Sequence, residues 1–351
     1  MDLTQGVKTV VLAACVSALA GCLEIETTTT VHPDGTIRRV VRTSGDSAEV
    51  QKDHGIFVAD TSWTVATRRT DSTYESVATR DFPDVRAFQA ALDRGGDRAL
   101  RVRVSFEKHF AWFTTSFEYR ETILCYNQIH AIPLSDYIPP RDQESLIRHE
   151  IEKAPYGAGE DSVRLHTLSE RTEEWDRRNK FEEYHRRFMD GAKWLPDDQL
   201  TALLTPAVKE TLFARTANAM NAGNVDTLPS IYASVLKVPG VQKVFEHERL
   251  RFEEFARALG YQEEMLMSGY KRAAIVMPGI LTETNGRSIE GNRVVWEDFL
   301  AAAYVTDYTM WARSRVVNWW AVVLTGGVVL VLAGLPLAAM LRNRRKMTAV
   351  I

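Results

Sequence analysis

The sequence predicts an α+β fold: a largely antiparallel sheet built from N- and C-terminal segments, with a helical insertion and a single C-terminal transmembrane helix. Three patterns predict it. Alternating, β-branched and aromatic-rich segments lie near both ends of the chain. Helix formers dominate the long stretch between them, Asp142 to Gly260. An uncharged run, Val316 to Leu341, closes on a cluster of cations.

The chain opens with a processing signal. After Lys8, the run Thr9–Ala20 is uncharged and mostly apolar. It falls short of the roughly 20 residues a bilayer span needs, and it suits a signal-peptide core. It ends Leu19-Ala20-Gly21-Cys22, the small residues before cysteine that a lipoprotein signal peptidase requires. Residues 1–21 are therefore expected to be a signal peptide and Cys22 the lipidated residue. Leu12-Ala13-Ala14-Cys15 is a competing match, but it leaves a core shorter than the usual roughly 7–15 residues.

Residues 22–135 read as the first part of a β-rich domain. Leu23–Val31 alternates, His32-Pro33-Asp34-Gly35 has turn chemistry, and Thr36–Arg42 is the return strand. Ser62–Arg69 and Ser72–Arg80 predict a second hairpin around Thr70-Asp71. Val85–Leu92 predicts a short helix ended by Gly95-Gly96. Ala99–Phe106 and Ala111–Tyr126 carry the strongest β signal.

The character changes after Pro139-Pro140, and residues 136–268 read as the helical insertion. Ser162–Met189, Asp197–Asn221 and Pro239–Leu259 are helix candidates, with Pro206 expected to kink or divide the second. Their apolar stripes read as packing faces of a bundle, or as a groove for a peptide or ligand. The β-rich domain resumes at 269–315, with strands in Lys271–Gly279, Ile280–Gly286 and Ser288–Trp296 and a last one over Ala303–Arg313. Asn285-Gly286 and Gly291-Asn292 supply residues that tight turns favour.

Residues 316–341 then form the membrane span, with Trp319 and Trp320 at the outer interface. Arg342, Arg344, Arg345 and Lys346 follow in the tail 342–351. The positive-inside rule makes that tail cytoplasmic and residues 22–315 extracytoplasmic, periplasmic or at the cell surface. Leu23 after the cysteine, instead of Asp, would in many Gram-negative bacteria route a lipoprotein to the outer membrane. A transmembrane helix is expected to hold the chain in the cytoplasmic membrane regardless.

Charge and cysteines narrow the function. The chain has 43 basic and 46 acidic residues; without Asp2, Lys8 and the four tail cations, 38 and 45 remain, a formal charge of −7. That argues against nucleic acid and against a broad electrostatic grip on anionic lipid. With Cys15 removed and Cys22 acylated, Cys125 has no partner for an internal disulfide, and it reads as a buried thiol.

No motif for chemistry emerges. The eight histidines are scattered. His149-Glu150 and His247-Glu248 begin a zincin pattern, but Lys153 and Arg251 stand where the second histidine belongs. Gly45-Asp46-Ser47 does not continue into a nucleophile elbow. No phosphate-cradling loop or dinucleotide fingerprint is present, so no cofactor, metal or catalytic residue is assigned. Glu173-Glu174 and Glu253-Glu254 read as solvated helix surface. Phe106, Phe110, Trp112, Phe113, Phe117 and Tyr119 crowd one segment. They read as a sheet face covered by helix, or as an apolar binding or membrane-facing surface.

The terminal segments also carry a resemblance. Cys22-Leu-Glu-Ile-Glu with Pro33-Asp34-Gly35, and Met277-Pro278-Gly279, Thr284-Asn285-Gly286 and Glu290–Trp296 before a strand, a membrane helix and a basic tail, resemble the mycobacterial LppM-type lipoproteins and related bacterial lipoproteins. The helical block departs from that pattern. The resemblance implies an exported, mainly β domain with lipid or glycolipid binding, and it transfers no binding residue. The expectation is a non-enzymatic binding or interaction protein at the envelope membrane, with a lipid ligand or an envelope protein as partner. The alternative is an envelope hydrolase whose site is assembled from residues distant in sequence.

Overall fold

The computed structural model describes residues 23–47, 50, 62–69, 73–94, 100–127, 129, 131–147, 162–193, 195–196, 205–221, 224–267, 269–297 and 299–348. The signal segment with Cys15 and Cys22 lies outside the described residues, as do Gly95-Gly96, His54, His130 and His149. The architecture is mixed α+β, with two sheets and, among the described residues, nine helices.

Chain order gives β1 (Glu24–Val31), β2 (Ile37–Gly45), β3 (Thr64–Arg69), β4 (Tyr74–Phe82), α1 (Val85–Leu92), β5 (Val102–Phe110) and β6 (Thr114–Ile123). The helical block holds α2 (Pro140–Leu146), α3 (Ser162–Ala192), α4 (Pro206–Asn221), α5 (Leu228–Leu236), α6 (Val241–His247) and α7 (Arg249–Met267). Then come β7 (Tyr270–Val276), β8 (Ile280–Thr284), β9 (Ser288–Glu290), β10 (Arg293–Glu297), α8 (Phe299–Val305), β11 (Tyr308–Val317) and α9 (Trp319–Thr348).

Early and late strands do pair, but in two sheets instead of one. A seven-stranded sheet runs β3-β4-β2-β1-β7-β10-β9, and a four-stranded sheet runs β5-β6-β11-β8. Every pairing is antiparallel except β1 with β7, which are parallel, Glu24 opposite Tyr270 and Thr30 opposite Val276. A parallel pair needs a long crossover, and here the whole helical block lies within it. Alternation puts Ile25, Val31, Ile37 and Val41 of the large sheet into the same core as Phe117, Tyr119, Ile123 and Met310 of the small one.

A buried ion pair joins the sheets through that core. Arg39 on β2 meets Glu121 on β6 at 2.9 Å, both nearly inaccessible to solvent. Thr29 accepts a second hydrogen bond from Arg39, and Tyr119 donates to Glu121 at 3.1 Å. Asp84 caps α1 by accepting from the Ala87 amide at 2.7 Å. Phe88 of α1 is fully buried, 4.8 Å from Phe82. Gln89 of α1 then acts as a substitute strand: it donates to Val102 O at 2.8 Å and accepts from Val104 N at 2.7 Å. The open edge of β5 is covered in that stretch.

The helical block has a second core of Phe181, Tyr184, Phe188, Leu212, Tyr232, Phe245, Phe255 and others. α3 belongs to both cores: Leu165, Leu168 and Trp175 pack with the sheets, Phe181 onward with the bundle. Its apolar positions therefore do not form one stripe. Pro206 starts α4, which agrees with the division expected there, since a first-turn proline lacks only an amide that would go unpaired; residues 197–204 lie outside the described residues. The expected Pro239–Leu259 helix is two, divided at Glu248, whose backbone leaves the helical region at φ −96°, ψ 19°. α5 was not anticipated from the sequence. The expected last strand also shifts: Phe299–Val305 is helix α8, and β11 runs Tyr308–Val317. Phe299, Leu300, Ala302, Ala303, Tyr304 and Val305 are all buried, so the segment shows neither helical nor strand periodicity.

Candidate membrane-facing site

α9 begins one residue after β11 ends. Its segment Trp319–Pro336 has a mean hydropathy of 1.9, and Ala321 is its one buried residue. Length and composition allow this helix to cross a membrane. Arg342, Arg344, Arg345 and Lys346 fall in its last turns.

The junction is latched by Asn318. Its side-chain amide donates to Ala111 O at 2.8 Å, its Oδ1 accepts from Thr115 Oγ1 at 3.0 Å, and its backbone amide donates to Phe113 O at 2.9 Å. Its carbonyl accepts from Ala321 N at 2.9 Å, the first turn of α9. One residue therefore ties the β5–β6 turn to the start of the helix. On the opposite side, Gly279 has φ +76°, and a Cβ there would strike the Arg315 carbonyl and Val316. Only glycine lets the β7–β8 turn approach β11 so closely.

The six aromatic residues of Phe106–Tyr119 are not one binding face. Phe117 and Tyr119 are buried in the core, and Phe106 is half-buried, 6.1 Å from Phe117. Burial, with the charge of Glu121, pushes the Tyr119 hydroxyl well above its usual range, so it stays a donor. Phe110, Trp112 and Phe113 are exposed by 61%, 48% and 48% at the hairpin tip. Phe106 and Phe110 share a strand face, but the β1–β2 turn of the large sheet reaches Phe106 through Gly35 and Lys108 through the Pro33 carbonyl and leaves Phe110 exposed. The tip instead meets α9: Phe110 stacks on Trp320 at 6.3 Å, and Trp112 meets Trp320 edge-on at 5.3 Å. The Trp112 indole N–H donates to Thr325 Oγ1 at 2.9 Å. Trp319 is 70% exposed beside them.

A shallow groove of about 730 Å³ lies at the same end, lined by Ile280, Thr282 and Glu283 of β8 and Ile289, Gly291 and Asn292 around β9. It runs between the edge strands of the two sheets. Sequence reasoning did not find it, because Ile280 and Ile289 belong to segments that read as ordinary strands. On the outer face nearby, burial opposes ionisation of Glu118, but hydrogen bonds from Arg313 and Arg120 outweigh it and hold the carboxyl below its usual range.

The remaining candidates are surface or packing groups. His247 is exposed, and Glu248 beside it pairs with Arg251 at 3.1 Å. Glu174 pairs with Arg177 at 2.7 Å, and Glu253 with Arg249 at 3.1 Å. Cys125 is half-buried past the end of β6, its thiol donating to Tyr304 O at 3.2 Å, and burial raises its pKa. Among the described residues, no three His, Cys, Asp or Glu side chains are grouped to hold a metal ion.

No protein-family model and no curated sequence matches the chain. Among solved structures, the NMR structure of the folded domain of Mycobacterium tuberculosis LppM is similar over 85% of this chain and 92% of that one, at 11% identity and a TM-score of 0.30. It is a loose likeness, at the level of fold.

Proposed function

We propose that this chain is a membrane-anchored envelope lipoprotein whose exported part is a non-enzymatic binding module, with lipid as its ligand class. Cys22 carries the acyl anchor, residues 22–315 stand outside the cytoplasmic membrane, and the basic tail lies within. The observation that supports this most is the mount: β11 passes through Asn318 alone into an apolar helix that, beyond the contacts of the hairpin tip with Trp320 and Thr325, is left largely exposed among the described residues. A domain fixed so closely meets whatever lies at the bilayer surface, and at that end its open groove carries Ile280 and Ile289 among polar side chains and its hairpin tip carries exposed aromatic rings. Native mass spectrometry of the full chain released from detergent, followed by solvent extraction, tests the ligand class. Lipid retained at defined stoichiometry supports the reading. A stable, empty protein sinks it and leaves a protein partner docked on the bundle, which has a core of its own at the other end of the sheets.

The start of β1 bears on the N-terminal anchor. β7 ends beside the α9 junction, and β1 runs parallel to it. Leu23, buried and accepting from Tyr270 N at 2.9 Å, is at the opposite end of that pair. From Tyr270 to Val276 the ladder is roughly 20 Å long at ~3.3 Å per residue. A lipid on Cys22 would leave the sandwich away from α9, so the two anchors address separate lipid surfaces unless β1 detaches. Cys22→Ser removes the acyl mass while α9 keeps the chain in the membrane fraction; an unchanged mass would mean that Cys22 is not the acylated residue.

A further inference from the structure

We propose that the tip of the β5–β6 hairpin, Phe110 to Phe113, is a wedge that enters the outer phospholipid leaflet beside α9 and holds the sandwich upright on the bilayer. The inference rests on α9 spanning the membrane, and it adds a second point of insertion beside it. Depth carries it. Trp112 donates to Thr325, six residues into α9 from Trp319. At ~1.5 Å per residue, that places the indole about 9 Å along the helix, inside the leaflet that α9 crosses. A hairpin tip held there has hydrocarbon and headgroups around it, and its side chains suit them: Phe110, Trp112 and Phe113 are exposed to no other part of the chain's core. Indole rings favour this zone, where one edge is apolar and the N–H finds a partner.

Groups further up the strands fit the headgroup level. Arg315 is exposed two residues before the end of β11, on the outer face, with Ile280 of β8 and Ser116 of β6 as its cross-strand neighbours. Two residues of strand are about 7 Å, so the guanidinium stands above the apolar tip at the depth of phosphates. Ile280, 72% exposed, extends the apolar rim on the far side of β11 from the hairpin. The occupant is therefore a lipid leaflet: the surface is continuous with an apolar helix that is left largely exposed beyond Thr325 among the described residues, and it grades from apolar to cationic as a bilayer interface requires. The hydrogen bonds of Asn318 make the wedge and the helix one body, so tilting the sandwich would drag Trp112 out of the leaflet.

The test uses the full chain, with Cys125→Ala, in phosphatidylcholine vesicles containing doxyl-labelled lipid at shallow or deep positions. A fluorophore is placed at Phe113→Cys, at Leu330→Cys in α9, or at Thr67→Cys on β3, and circular dichroism checks the fold of each. The expected result is blue-shifted emission at position 113 quenched most by the shallow label, quenching of position 330 by the deep label, and none at position 67. Position 113 unquenched while 330 is quenched overturns the wedge and leaves the span standing. Both unquenched overturns the span reading and the wedge with it. Blue-shifted but unquenched emission at 113, with cross-linking between chains, would mean that a second copy covers the tip, which also overturns the proposal.

Discussion

The two ends of β6 are built from the same kind of residue and have opposite surroundings. At its far end Ile123 is sealed by protein, and the aromatics around it are satisfied by protein: the Trp175 indole donates to Ile132 O at 2.8 Å, and the Tyr304 hydroxyl to Asp176 at 2.6 Å. At the end near α9, the side chains of Phe110, Trp112 and Phe113 stand exposed, with Trp320 and Thr325 beside the first two. Aromatic density in a sequence therefore does not say which medium an aromatic residue meets. What separates the two ends is the reach of the facing sheet, which covers Phe117 and Tyr119 and stops short of Phe110. The helical bundle lies at the sealed end, and the apolar helix α9 leaves from the open one.

The sharpest way to break this contrast is to attack what holds the sheets together between the two ends. Glu121→Ala leaves the Arg39 guanidinium buried without its counter-charge. The expected loss is about 3–5 kcal/mol, because an unpaired buried charge costs more than the pair contributes. Replacing both partners, Arg39→Met with Glu121→Leu, should recover most of it. Urea denaturation of the full chain in detergent, followed by far-ultraviolet circular dichroism, checks this. A single variant within about 1 kcal/mol of the parent would show the pair to be hydrated.

A second test addresses the bundle alone. His185 is buried between Phe181 and Phe188, with Nδ1 3.3 Å from the Tyr232 hydroxyl. Burial first, and then the charge of Lys209, lowers its pKa to about 4. The unfolded imidazole titrates near ~6.5, so below that pH the unfolded chain takes up the proton first. Stability of the bundle falls as pH drops from about 6.5 and levels off below about 4, by about 3 kcal/mol in all. His185→Phe should flatten the curve. Hydrogen exchange of α3 and α5 amides, corrected for intrinsic rate, reads the effect where it occurs. Protection independent of pH across that window would mean that water reaches the imidazole.

How much of this was legible in the sequence varies with the physics involved. β1, β2 and α3 were, because alternation or a long run of helix formers is written locally. The placement of strands in two sheets was not, since pairing β1 with β7 depends on contacts across the whole helical block. The last three residues of α8, Ala303–Val305, were misread as strand because burial on all sides erases periodicity. The crowd of aromatics at Phe106–Tyr119 was visible, but its division between core and tip depends on how far a distant sheet reaches. The ion pair of Arg39 and Glu121 was invisible: nothing in Arg38-Arg39 or Arg120-Glu121 says which neighbour turns inward until the register is known.

The smallest effect belongs to the latch, and it separates local order from global stability. Asn318→Ala removes the side-chain hydrogen bonds to Ala111, Trp112 and Thr115 and keeps the backbone bond to Phe113. Asn318 is half-buried, so water replaces part of what is lost, and the cost is about 1 kcal/mol. Because the tip contributes nothing to either core, the denaturation midpoint should scarcely move. The change should show in the hairpin turn, where the Ala111 amide bonded to Thr114 O at 2.8 Å should exchange faster. If exchange there is unaltered, the aromatic contacts with Trp320 hold the tip by themselves, and its position against α9 is set by ring packing, with no need of the latch. If it rises and the midpoint falls as well, the junction is part of the cooperative fold, and the open end is less independent of the sealed one than its exposure implies.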